Sequence, residues 1–141
     1  MAAVCANNDP VAEIAASLPL GLLMRHKKLN KWLQLGGHAD GNTDILCVAL
    51  KEAREESGIE DIVFLQEDIF DIDVHQIPTI NSTPSHKHYD IRFLLQANHE
   101  DFIKNEESYE LRWFSFEEIN NDESMFNESI RRMARKCLLI L

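Results

Sequence analysis

Three glutamates carry the plainest chemistry in this sequence. Glu52, Glu55 and Glu56 stand at i, i+3 and i+4, so on a helix they share one face. Their carboxylates are hard oxygen donors, the type suited to Mg2+, Mn2+ or Ca2+. Without a cation the position is poor. Gly58 marks the end of the helical pattern, so the glutamates lie in its last turns, against the negative end of the helix dipole. Glu52 and Glu56 are also a like-charged i,i+4 pair, at a cost of roughly 0.2–0.5 kcal/mol. Lys51 can reach Glu55, but one lysine does not neutralise three carboxylates. The bare triplet has two readings, a solvated acidic helix face, which is the default, and a divalent-cation site.

A second set of candidates is imidazole. His86 and His88 are two residues apart, so on a strand they face the same way. His75 can come alongside from a neighbouring strand. These three histidines are surface residues, contacts to a phosphate or a base, or a zinc site. His38 and Asp40 lie in the glycine-rich stretch GGHADG just before the acidic helix. They are candidates to touch a phosphate or its bound water, although Asp40 also suits a simple turn. Arg25, Lys27, Lys28 and Lys31 form either a solvated turn or a collar for an anionic substrate. Tyr89 and Trp113 can stack on a base, with core packing the default for Trp113.

The elements that must position these groups follow from periodicity. Ile45, Val48, Ala49 and Ala53 make a helical stripe over residues 44–57. Asn42, Thr43 and Asp44 are N-cap candidates and Gly58 suits the C′ position. Strands are expected over residues 2–6, 20–26, 32–35, 61–66, 69–77, 88–96 and 111–114. In residues 69–77, Phe70, Ile72 and Val74 face one way while Asp71, Asp73 and His75 face the other. Residues 78–87 are a loop, and a helical turn is expected over residues 100–105. Asp9-Pro10 predicts a short helix over residues 10–17. Ser115 with Glu118 is a capping-box pattern. A C-terminal helix is expected over residues 123–139, with Phe126, Ile130, Met133, Ala134, Cys137, Leu138 and Leu141 on its apolar side and Arg131, Arg132, Arg135 and Lys136 opposite.

A chain of 141 residues fits one domain around one core. Residues 20–141 are the expected domain, and residues 1–19 an atypical leading segment. The net charge of −10 argues against general nucleic-acid binding and against anionic membranes. Three cysteines without a CxxC suggest reduced thiols and a cytoplasmic protein, with Cys47 and Cys137 as small core residues. No apolar run has the length of a membrane span, and the first residues do not read as a secretory signal.

Residues 37–59 as a whole resemble the Nudix box, G-x5-E-x7-R-E-U-x-E-E-x-G-U, where U is bulky and apolar. Gly37, Glu52, Glu55, Glu56, Gly58 and Ile59 match in type and register without a gap. Three positions depart. Thr43 replaces the first glutamate, Lys51 the arginine, and Ala53 the larger apolar residue. The first two normally help to hold loop against helix, a task open here to Asp40 or Asp44. The flanks WLQLGGHADG, DIDVH and HKHYDIRF resemble one bacterial subgroup of this family, so the likeness covers about residues 20–120.

The resemblance implies an α/β/α Nudix sandwich with a mixed central sheet. No clear hairpin precedes residue 20, so its first strand is uncertain. That strand is absent, replaced, or borrowed from a partner in a homodimer. The resemblance also implies a Mg2+- or Mn2+-dependent hydrolase that splits the pyrophosphate of a nucleoside diphosphate linked to another group. Glu52, Glu55, Glu56 and the Gly37 carbonyl would hold metal. Glu52 or Glu55 would orient or deprotonate water. His38, Asp40, His75, His86, His88 and Arg25 would meet a small nucleotide-type substrate. One of Glu106, Glu107 and Glu110 would be an extra ligand or base. The alternative is a non-catalytic Nudix module that binds a nucleotide or protein. An isomerase of the isopentenyl diphosphate type shares the fold but expects a cysteine at the site.

Overall fold

Alternating side chains of the second strand settle which layers meet. In the computed structural model, which describes residues 2–6, 19–27, 29–79, 82–103 and 108–141, the strands are β1 (Ala2–Ala6), β2 (Leu20–His26), β3 (Lys31–Leu33), β4 (Ile62–Phe64), β5 (Asp71–Ile77), β6 (His86–Ala97) and β7 (Ser108–Ser115). The helices are α1 (Ile45–Ser57), α2 (Phe116–Asn121) and α3 (Glu128–Ile140). Leu22 and Met24 of β2 pack with Ala53 of α1, Ile59, Ile62 and Leu95. Leu23, between them, packs with Phe116 and Ile119 of α2 and Ile130, Met133 and Cys137 of α3. One strand therefore feeds two apolar layers on opposite sides, as period-2 geometry requires. The result is the expected α/β/α sandwich.

The sheet is mixed. β1 pairs antiparallel with β2 and parallel with β6. β7 and β3 pair antiparallel with β2, and β4 and β5 pair antiparallel with β6. The uncertain first strand is thus supplied by the chain itself, in the middle of the sheet, which removes that ground for a borrowed strand. The helix expected over residues 10–17 lies outside the described residues. Residues 100–103 form no helical turn, and the rest of that expected turn also lies outside them.

The acidic helix has the predicted ends. Asp44 is its N-cap and accepts a hydrogen bond from Cys47 N at 3.0 Å. Gly58 closes it at φ 69°, where a Cβ would fall 2.7 Å from Ile103 Cβ, so both conformation and space ask for glycine. The C-terminal region differs from expectation. The Ser115–Glu118 capping box opens a separate short helix, α2. Asp122 then accepts from Ser124 N and Met125 N, each at 3.0 Å. These bonds hold a turn, and α3 starts one residue after its own N-cap, Asn127. Side-chain bonds to the backbone outcompete helix propagation there. Cys137 is buried as expected, but Cys47 is exposed, because its place in the first turn of α1 looks away from the sheet.

β5 has an inverted exterior. Asp71 is buried, while Ile72 and Val74 are 58% and 47% exposed. The polar face of β5 points inward because it meets cations there. The apolar face points out beside Tyr89 of β6, across from Val74, which is itself exposed.

Candidate active site

Gly36 and Gly37 bring the end of β3 against the last turns of α1. Gly36 N donates to Glu56 Oε2 at 2.6 Å, and Glu56 is only 6% exposed. Gly37 is pressed onto Glu52, and a Cβ there would stand 2.3 Å from Glu52 Oε2. Any side chain at 37 would displace that carboxylate, so the glycine is a matter of space. Glu55 is the exposed member of the set. The loop then turns at Asp40 (φ 48°) and Gly41 (φ 84°), closed by Asn42 N to Ala39 O at 2.8 Å. Asp40 is exposed in this turn.

The departures from the usual box have visible consequences. Lys51 pairs with Glu55 at 3.5 Å and Glu52 at 3.9 Å, along the helix rather than across to the loop. Asp44 is occupied by capping, and Thr43 is exposed. Neither Asp40 nor Asp44 pairs with Lys51 among the described residues. Loop and helix are joined here by the Glu56–Gly36 bond and the Glu52–Gly37 contact.

The donor chemistry of these carboxylates suits a hard divalent ion. Two of them converge on one glycine turn, one is buried, and the donors are oxygen. A Cβ-free cradle at Gly37 leaves the Glu52 carboxylate room beside the backbone.

The histidines converge as well. His75 and His88 are register partners across β5 and β6, with ring centroids 5.5 Å apart. His88 also lies 5.0 Å from the His86 ring and 5.2 Å from the His38 ring. His38 follows Gly37, so the glycine loop touches both the glutamates and the imidazoles. Burial, with the neighbouring His38, His86 and His75, holds His88 below the usual histidine pKa, opposed by Asp90.

Asp90 was not among the sequence candidates. It is buried and lies 3.7 Å from His75 Nδ1. The strand alternation His86, His88, Asp90, Arg92 could have shown it. Arg92 is 2% exposed and binds Asp71, Asp73 and Asp90 at 3.1, 3.2 and 3.3 Å. Burial pushes the Asp71 carboxyl up, but bonds from Arg132 and Lys136 outweigh it and bring its pKa down to about 2.

Other expected contacts do not join this cluster. Arg25 Nε donates to Asn30 Oδ1 at 3.0 Å in the β2–β3 turn, and among the described residues no hydrogen bond or ion pair links it to the histidines. Glu110 is exposed on β7 opposite Arg25, while Glu106 and Glu107 lie outside the described residues. Trp113 is partly buried and donates Nε1–H to Glu100 O at 2.8 Å, as a packing residue does.

The family model for the NUDIX domain matches residues 19–137. The chain belongs to the Nudix family. It is a Nudix hydrolase, with chemistry on pyrophosphate-type bonds. Solved structures agree on the fold. A NUDIX-family hydrolase from Clostridium perfringens has TM-score 0.70 and 19% identity, covering 99% of this chain and 96% of that one. A C. elegans Ap4A hydrolase binary complex has TM-score 0.68 and 18% identity, with 99% and 93% covered. The E. coli dihydroneopterin triphosphate pyrophosphohydrolase has TM-score 0.66 and 13% identity, with 99% and 94% covered. No curated protein matches the sequence.

Proposed function

We propose that this Nudix hydrolase acts, with Mg2+ or Mn2+, on a nucleoside diphosphate linked to another group. The observation that carries the reading is the docking of Glu52 and Glu56 on the Gly36-Gly37 turn. Glu52, Glu55, Glu56 and the Gly37 carbonyl would hold the ion. When bound, such an ion offsets phosphate charge and lowers the pKa of water. Glu56, fixed by Gly36 N–H, holds the loop at one distance from the helix. Glu55, which is exposed, would orient the attacking water and take its proton. Glu52 keeps the opposite side of the turn. His38, next to Gly37 in the loop, would donate to a phosphate oxygen. Water attacks phosphorus, the P–O–P bond breaks, and the leaving phosphate departs with the bridging oxygen.

The test is a hydrolysis screen over nucleoside diphosphate derivatives with Mg2+ or Mn2+, beside the Glu56→Gln variant. Turnover by wild type and not by the variant supports the reading. Tight nucleotide binding with no turnover across the panel favours the second reading, a non-catalytic binding module. The observation behind that reading is Lys51, which partners Glu52 and Glu55 instead of the loop. The isomerase reading has no support from Cys47. That residue is in the first turn of α1, and the box glutamates are in the last turns.

A further inference from the structure

We infer that His75, His88 and Asp90, with His86 as a fourth donor, form a second cation site for a borderline metal of the Zn2+ or Co2+ class. This site is separate from the glutamate site. Its donors differ in kind, being imidazole nitrogens with one carboxylate, and such sets select zinc and its neighbours over Mg2+.

Three observations carry the inference. First, one ligand atom each from His75, His88 and Asp90 lies within 4.8 Å of the others. Zinc–nitrogen and zinc–oxygen bonds of about 2.0–2.2 Å place tetrahedral ligands about 3.4 Å apart. The His75 Nδ1 to Asp90 Oδ2 distance is already 3.7 Å.

Second, the tautomer of His86 is fixed. Its Nδ1 lies 2.8 Å from the carbonyl of Pro84. A carbonyl only accepts, so Nδ1 carries the proton and, in the neutral ring, Nε2 carries the lone pair. Among the described residues that lone pair accepts from His88 Nε2–H at 3.1 Å, and a metal would take the place of this proton between the two nitrogens. A backbone carbonyl holding one ring nitrogen so that the other is free is the usual support for a metal-bound histidine.

Third, the carboxylate is supported and the charges favour a cation. Asp90 is 6% exposed and accepts from Arg92 at 3.3 Å. Arg92 is in turn held by Asp71 and Asp73, which spread its positive charge away from Asp90. An anion in this place would have to sit against the buried Asp90 carboxylate. A cation needs the imidazoles neutral. The His38 ring, edge-on to His88, links this cluster to the glycine loop.

The experiment is a Co2+ titration of the full chain in excess Mg2+, followed by visible absorption and competed with Zn2+. One Co2+ per chain with the spectrum of a nitrogen-containing, low-coordinate site is expected. His88→Ala and His75→Gln should each weaken binding by at least about 10-fold, and Glu56→Gln should leave it unchanged. His75→Gln changes a half-exposed residue, and circular dichroism confirms that each variant is folded. Absence of Co2+ binding in excess Mg2+ overturns the proposal. So does binding that survives His88→Ala but is lost in Glu56→Gln, because the metal is then in the glutamate site. Binding of inorganic phosphate, metal-free and abolished by His88→Ala, would make this an anion site instead. None of these readouts uses turnover, so they are independent of the hydrolase reading.

Discussion

Among the described residues, two clusters of carboxylates are accommodated in opposite ways. At Asp71, Asp73 and Asp90 the chain supplies its own cations. Arg92 touches all three, and Arg132 and Lys136 add bonds to Asp71 at 2.6 Å each. Ser129 completes the set with a bond to Asp73. At the acidic helix, the ion pairs of Glu52 and Glu55 both go to one exposed lysine. Their third member, Glu56, is tied to a backbone amide. The first cluster is closed and ties β5 and β6 to α3. The second leaves carboxylate oxygen facing a glycine loop.

Mutations should separate the two clusters cleanly. The largest effect is expected from Arg92→Met, which removes the buried cation shared by Asp71, Asp73 and Asp90 and should cost about 3–5 kcal/mol of stability, read by denaturant unfolding. Glu56→Gln should do the reverse. Turnover should fall at least about 100-fold, near 2.7 kcal/mol in barrier, while stability changes by less than about 1 kcal/mol, because the amide oxygen still accepts from Gly36 N–H. A destabilised Glu56→Gln with normal turnover would collapse the contrast between the clusters.

Asp71→Asn should cost about 2 kcal/mol at neutral pH. The sign follows from the depressed carboxyl. Folded Asp71 titrates at about 2 and the unfolded group near 3.8. Its contribution is therefore complete above the unfolded value and is lost as pH falls through about 2. The gap between wild type and Asp71→Asn should close over that window, measured by unfolding at stepped pH. The smallest effect is expected from Lys51→Met. Its ion pairs are solvent-screened, so stability should move by no more than about 0.5 kcal/mol. A larger loss would mean that the acidic helix depends on its lysine as β5 depends on Arg92.

The acidic cluster was legible in the sequence because its parts are local. Asp44, Gly58 and the three glutamates lie on one helix, and helix periodicity and capping read them directly. The Ser115–Glu118 box was legible for the same reason. The closed cluster was not, because Asp71 finds Arg132 and Lys136 on the far side of the sequence. Period-2 alternation showed that Asp71 and Asp73 share a face, but alternation does not say which face is inside. A buried arginine decided it. Cys47 misled in a similar way, since a small apolar residue in a first turn has no fixed side. Asp90 was hidden by its plainness, one aspartate in a strand whose neighbours were histidines.

β1 has a bearing on how the chain folds. It is the strand whose hydrogen bonds join the β2–β3–β7 group to the β4–β5–β6 group. Ala2 pairs with Phe93 and Ala6 with Ala97, so this seam joins the start of the chain to residues most of a domain away. Local hairpins such as β5–β6 can form early, but non-local parallel pairing carries a loop-closure cost and is slow. During synthesis the two half-sheets must wait, edges open, until residue 97 has emerged. β2 gains its β7 partner later still, once residue 115 has emerged, so until then sheet edges stay open to aggregation.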